Sequence, residues 1–195
     1  FPATTANVAI TPKVITVSIA NQTKVYDTTT AAILTAGTSS ADGSYILSGF
    51  MGNDGAYITQ TVGSYNSANV ANATTVSAVI GSSYVAKDGA NLANYVLPTT
   101  ASTAVGGASI TPAPLTMTAN DVTTFVGVAP TTPLEYQLSG LLGGDTAGTA
   151  ISNPTVTYLA SLLNTAMSTP TLNALTPSAT SSNYSLTFVQ GSLMV

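Results

Sequence analysis

Apolar and polar residues alternate cleanly along three runs of this chain. Leu115, Met117 and Ala119 alternate with Thr116 and Thr118; Leu134, Tyr136 and Leu138 with Glu135 and Gln137; Tyr184, Leu186 and Phe188 with Ser185 and Thr187. A period of two marks a strand with one buried and one wet face. Noisier runs of the same kind cover 14–19, 44–47, 56–62, 75–80, 94–97 and 154–159, and Ser192 to Val195 stands where a closing strand belongs. Between the runs lie Asp42-Gly43, Asn53-Asp54-Gly55, Asp88-Gly89, Gly106-Gly107, Gly143-Gly144-Asp145 and Gln190-Gly191. Gly, Asn and Asp tolerate the backbone conformations that reverse a strand. Helical pattern is confined to 140–150 and 158–167, among Thr, Ser and Val residues that form helices poorly. The pattern predicts a mainly β chain, sandwich-like or alternatively β-grasp-like with one short helix per module.

The runs come in two sets. Leu47-Ser48-Gly49-Phe50-Met51-Gly52-Asn53-Asp54 returns as Leu138-Ser139-Gly140-Leu141-Leu142-Gly143-Gly144-Asp145. Ile10-Thr11-Pro12 returns as Ile110-Thr111-Pro112, and Asn94-Tyr95-Val96-Leu97 as Asn183-Tyr184-Ser185-Leu186. The offsets, 91, 100 and 89 residues, preserve order while the loops vary. A period near 90–100 residues is one small domain and not a solenoid repeat. The expected organisation is 1–10 as the closing strand of a preceding repeat, a first β module over 11–109 and a second over 110–195, in an elongated array. On this reading the chain is a segment of a longer repetitive polypeptide. Thr111-Pro112-Ala113-Pro114 marks the seam, reads as excluded from a strand interior by its two prolines, and stiffens the joint.

Charge is the compositional outlier: 5% of residues are charged, against roughly 25% in an average soluble domain. A surface of Thr, Ser, Asn, Gln and Gly senses salt weakly and lacks the repulsion that keeps molecules apart, which favours self-association. Three lysines, no arginine and a net charge of −4 leave no basic patch for nucleic acid or for an acidic membrane surface. No apolar run is long enough for a spanning helix, so no membrane insertion is expected.

The chain has no Cys and no His, so thiolate or imidazole zinc sites and Ser–His–Asp chemistry have no residues to use. Six of the seven acids sit in or beside turn signals, where an Asp caps its own backbone, and the chain reads as no enzyme. Calcium is the one cofactor with candidates, the scattered carboxylates Asp42, Asp54 and Asp88, which lack the alternating spacing of a calcium loop. Lys24 and Lys87 read as solvated lysines and not as covalent staples. Of the sequons at Asn21, Asn72 and Asn183, the first two are the glycosylation candidates, since Asn183 falls at a strand start. Tyr26, Tyr45 and Tyr57 are candidate stacking platforms for a sugar. Tyr95 and Tyr184, at equivalent repeat positions, read as core residues with a hydroxyl at the rim.

The first repeat, with Ile10-Thr11-Pro12-Lys13, Lys24-Val25-Tyr26-Asp27-Thr28-Thr29 and Asn94-Tyr95-Val96-Leu97, resembles the YDG repeat domain. Thr28 stands where that family has the glycine of its Tyr-Asp-Gly. The second repeat resembles the related MBG ("mostly beta, glycine-rich") domain through 110–116, Leu138-Ser139-Gly140-Leu141, Gly144-Asp145-Thr146-Ala147 and 182–191. Thr124-Phe125-Val126-Gly127-Val128 replaces its usual Lys-Thr-Tyr-Gly-Asp and loses the tyrosine. The resemblance implies an extracellular structural or adhesive part of a large bacterial surface or biofilm-matrix protein, similar to filamentous haemagglutinin. The expected role is a stiff spacer or self-associating fibre element whose partners are neighbouring repeats. The alternative is a module gripping a matrix polysaccharide through exposed Tyr and amide side chains.

Overall fold

A computed structural model describes residues 9–167 and 169–195 of the chain. The closing strand expected over 1–10 lies, apart from Ala9 and Ile10, outside the described residues. Two small mainly-β modules follow each other in the sequence, with one single-turn α-helix among the described residues, Ala147–Ala150. The compact units do not follow chain order. The second consists of Ile110–Val195 together with Lys24–Thr29 and Ala68–Asn72, and the first of the remainder.

In the first unit, Lys13–Val14 runs parallel to Tyr95–Val96, and Thr16–Ile19 pairs antiparallel with Tyr45–Ser48. A four-stranded antiparallel sheet has the order Thr100–Ser102, Val76–Val79, Val62–Tyr65, Ala31–Ile33, and Gly55–Ile58 pairs antiparallel with Tyr84–Lys87. Val76, Ala78 and Ile80 turn inward while Ser77 and Val79 face out, so period-two alternation decides the buried face. Ile15, Ile19, Leu34, Tyr45 and Ile58 complete that core.

In the second unit, Ala113–Ala119 is the central strand between Tyr136–Ser139, antiparallel, and Tyr184–Val189, parallel. Its residues Ala113, Leu115, Met117 and Ala119 are buried in strict alternation. A second sheet has the order Val122–Thr123, Gly191–Met194, Thr171–Thr180, Ser152–Thr157. Between the elements, Ala119, Leu134, Leu163, Leu175, Leu193 and Val195 form one apolar cluster. Register shifts interrupt both long strands of this second sheet, and there Asn153 (φ 51°) and Asn173 (φ 60°) take the left-handed conformation that Asn tolerates best after Gly.

Of the seam prolines, Pro112 falls between strands as the sequence reading expects, and Pro114 does not. Pro114 lies inside the central strand, paired in register with Ser185. The antiparallel ladder to Tyr136–Ser139 begins only at Thr116, opposite Ser139. At Pro114 the strand is therefore still an edge on that side, and its missing N–H leaves no ladder bond unmade. Pro177 uses the same device: the ladder of its strand to Gly191–Met194 has its last register pair at Leu175–Gly191.

The two frames coincide. Lys13 is opposite Tyr95 as Ala113 is opposite Tyr184, and Thr16 is opposite Ser48 as Thr116 is opposite Ser139. The repeat offsets of the sequence are thus the offsets of one strand register built twice.

Candidate functional site

The duplicated phrase makes a turn at the end of a strand. After Ser48 and Ser139 the chain reverses at Gly49 (φ 105°) and Gly140 (φ 109°), a conformation that L side chains avoid. A Cβ would stand 3.1 Å from the Val14 carbonyl oxygen at the first and 2.8 Å from that of Pro114 at the second. Gly52 (φ 59°) and Gly143 (φ 55°) close the loop. There the Asp54 N–H donates to the Met51 carbonyl and the Asp145 N–H to that of Leu142, both at 3.0 Å.

The loop presents its aspartate to the closing-strand tyrosine. The Tyr95 hydroxyl donates to Asp54 Oδ2 at 2.6 Å and accepts from the Met51 N–H at 3.2 Å. The Tyr184 hydroxyl donates to Asp145 Oδ2 at 2.6 Å and accepts from the Leu142 N–H at 3.1 Å. Each latch joins the glycine loop to the strand that runs parallel with the module's opening strand. A hydrogen bond to a charged acceptor is shorter and stronger than one between neutral groups, so the latch is a local constraint.

The second unit adds a third group. Tyr26, within Lys24–Thr29, donates its hydroxyl to the same Asp145 Oδ2 at 3.0 Å. Its ring meets Tyr184 edge-on, with centroids 5.3 Å apart, and its N–H donates to the Thr111 carbonyl at 2.8 Å. The loop braces itself: Asp27 Oδ1 accepts from Lys24 Nζ at 2.7 Å and from the N–H and hydroxyl of Thr29, both at 2.9 Å. Partial desolvation opposes ionisation of Asp27, but the Lys24 and Thr29 hydrogen bonds outweigh it and hold its carboxyl below the usual range. In the first unit the ring against Tyr95 is Phe50, centroids 5.0 Å apart.

Thr28, where the resembling family has glycine, keeps the left-handed backbone at φ 69°. A β-branched residue there is strained. Thr28→Gly is expected to stabilise the second unit by about 1 kcal/mol, the relief of that strain less the freedom glycine gains when unfolded. Urea denaturation of the variant beside the parent chain measures it.

Burial, then the hydrogen bond to Asp145 and its negative charge, push Tyr26 up to about 12. Burial and Asp145 also raise Tyr184; at Tyr95 the bond to Asp54 leads, followed by burial. Burial alone takes Tyr84, whose hydroxyl donates to the Pro98 carbonyl at 2.8 Å, to about 12. A raised folded-state value means that the folded chain keeps protons the unfolded chain has lost. The stabilisation is complete below the ordinary tyrosine value of 10 and disappears as pH climbs toward 12. Stability is therefore expected to fall steeply between pH 10 and 12, with phenolate absorbance and loss of ellipticity rising together.

Tyr26 and Tyr45 are 5% and 2% exposed, so two of the three candidate stacking rings are core groups. Burial was not legible for them because neither lies in a clean alternating run. Tyr57 is half-buried. The three calcium candidates have other occupations: Asp42 pairs with Lys87 at 2.7 Å, Asp54 serves Tyr95, and Asp88 sits in a left-handed turn (φ 49°). Among the described residues no group of three His, Cys, Asp or Glu side chains is placed to hold a metal ion. Lys24 and Lys87 are largely covered and ion-paired, not solvated as the sequence suggested. Asn21 and Asn72 are exposed; Asn183 precedes its strand, accepting from the Val70 N–H and donating to Asn69 Oδ1, both at 3.0 Å.

The Tyr–Asp pairing itself was missed. Asp27 caps its own backbone as expected, but Asp54 and Asp145 reach across to the closing strand. The signal was present: both partners recur in both copies, at offsets of 91 and 89 residues.

Comparison with known proteins supplies the family. A search of the curated proteins and one of the solved structures gave no match. Family models match two successive stretches. Residues 11–104 are a YDG domain and residues 115–194 an MBG domain of the YGX type.

Proposed function

We propose that this segment is a non-enzymatic, load-bearing spacer in a large exported bacterial surface or matrix protein, with neighbouring repeats as its partners. The parallel pairing of each opening strand with the tyrosine-bearing strand carries this reading. Ala113–Ala119 and Tyr184–Val189 hold six successive register pairs, and Lys13–Val14 with Tyr95–Val96 holds two. Tension drawn through an opening strand and through Tyr184–Val189 or Tyr95–Val96, once Gly191–Met194 or Thr100–Ser102 beyond it is drawn out, pulls two parallel strands in opposite directions. All ladder bonds are then loaded together in shear, whereas an antiparallel pair pulled from one end opens bond by bond. The Tyr–Asp latch ties a third segment to the strand that bears the load. The sparse charge suits a spacer whose surface is indifferent to ionic strength.

Single-molecule pulling on the chain through handles at its two ends tests this reading. Two force peaks are expected, the higher from the six-pair ladder, with Asp145→Ala lowering that one. Extension without a peak overturns the reading.

A further inference from the structure

Among the described residues, the second unit shows its latch filled, and the first unit carries the same latch with its seat unfilled. In the second unit Thr28 stands directly over Gly143, where an added Cβ would collide with its side chain, and Tyr26 shares Asp145 with Tyr184 beside Asn183. The equivalent residues of the first unit are Gly52, Asp54, Tyr95 and Asn94, set on the same strand register and with the same left-handed glycine. Over Gly52 no atom of the described residues lies within 4 Å of an added Cβ. Among the described residues, the hydrogen bonds to the Asp54 carboxylate include one tyrosine hydroxyl where Asp145 takes two. Gly52, Asn53 and Asn94 are exposed and Asp54 is half-exposed.

We propose that Asp54, Tyr95, Asn94 and Gly52 form a socket for the tyrosine-bearing loop of a preceding module of the same repeat type, a loop built like Lys24-Val25-Tyr26-Asp27-Thr28-Thr29. The occupant follows from the filled copy. Its tyrosine hydroxyl shares the aspartate, its ring packs edge-on at the closing-strand tyrosine, and the residue two beyond covers the loop glycine. Phe50, already edge-on to Tyr95, forms part of the socket wall. The corresponding stretch of the second repeat, Thr124-Phe125-Val126-Gly127-Val128, has no tyrosine to donate to an aspartate. A module of that kind is therefore not the occupant, which makes the socket selective for tyrosine-bearing predecessors. The inference rests on the repeat-array reading.

The test is nuclear magnetic resonance titration of the isotope-labelled whole chain with the peptide Thr-Lys-Val-Tyr-Asp-Thr-Thr-Thr, the sequence of residues 23–30. Saturable shifts are expected at Gly52, Asp54, Asn94 and Tyr95, and the same peptide with Phe for Tyr is expected to bind about tenfold more weakly, for loss of one hydrogen bond to a charged acceptor. Asp54→Ala is expected to abolish the shifts while leaving the dispersed spectrum of the second unit in place. A loop held by a short linker has an effective concentration of about millimolar. Absence of shifts at that peptide concentration, or shifts elsewhere that survive Asp54→Ala, overturns the proposal. Failure of the force experiment would leave the socket standing, because the titration reads the surface of the first unit and not the shear ladder.

Discussion

Gly140→Ala is expected to destabilise the second unit by about 3 kcal/mol, through strained backbone and an unavoidable contact. At φ 109° an alanine lies outside even the left-handed region, and its Cβ would meet the Pro114 carbonyl at 2.8 Å. Neither partner gives way easily: Pro114 is fixed in register opposite Ser185, and Gly140 follows Ser139, fixed opposite Thr116. Gly52→Ala is the internal control. Its φ of 59° lies in the left-handed region and no atom of the described residues crowds the new carbon, so about 1 kcal/mol is expected. The chain has nine tyrosines and no tryptophan, so urea unfolding followed by tyrosine fluorescence reads both variants directly. Equal midpoint shifts from the parent chain for the two would sink the argument.

Asp145→Ala should cost about 2–3 kcal/mol, because two part-buried tyrosine hydroxyls lose one charged acceptor together. Asp54→Ala, which strips one hydroxyl, should cost less. Tyr184 and Tyr95 each keep their backbone N–H donor in these variants, which limits the damage. The difference between the two variants isolates what Tyr26 contributes. Identical losses from the two aspartates, measured in the same denaturant series, would mean that Tyr26 adds nothing to the second latch.

The architecture was legible wherever one strand face is apolar throughout. Leu115, Met117 and Ala119 announce the central strand, and Gly140 to Ala150 and Tyr158 to Met167 do contain the short helical turns Ala147–Ala150 and Ala160–Asn164. The ten-residue strand Thr171–Thr180 was not legible. Only Leu175 and Pro177 are buried along it, and the remainder is Thr, Ser, Asn, Ala and Leu that reads as loop. Gln22–Val25 is hidden for the same reason. The latch was opaque on different grounds: Asp54 and Tyr95 are 41 residues apart, Asp145 and Tyr184 are 39, and only the parallel register between opening and closing strands brings each pair together. Sequence periodicity identifies a strand but does not name its neighbour. Thr28 shows the converse, since the substitution was evident and the persistence of the glycine-like backbone was not.

Because the second unit is completed by Lys24–Thr29 and Ala68–Asn72, the smallest inheritable piece of this fold is longer than the repeat visible in the sequence. A cut at the sequence boundary near residue 110 therefore takes from the second unit the tyrosine that shares Asp145.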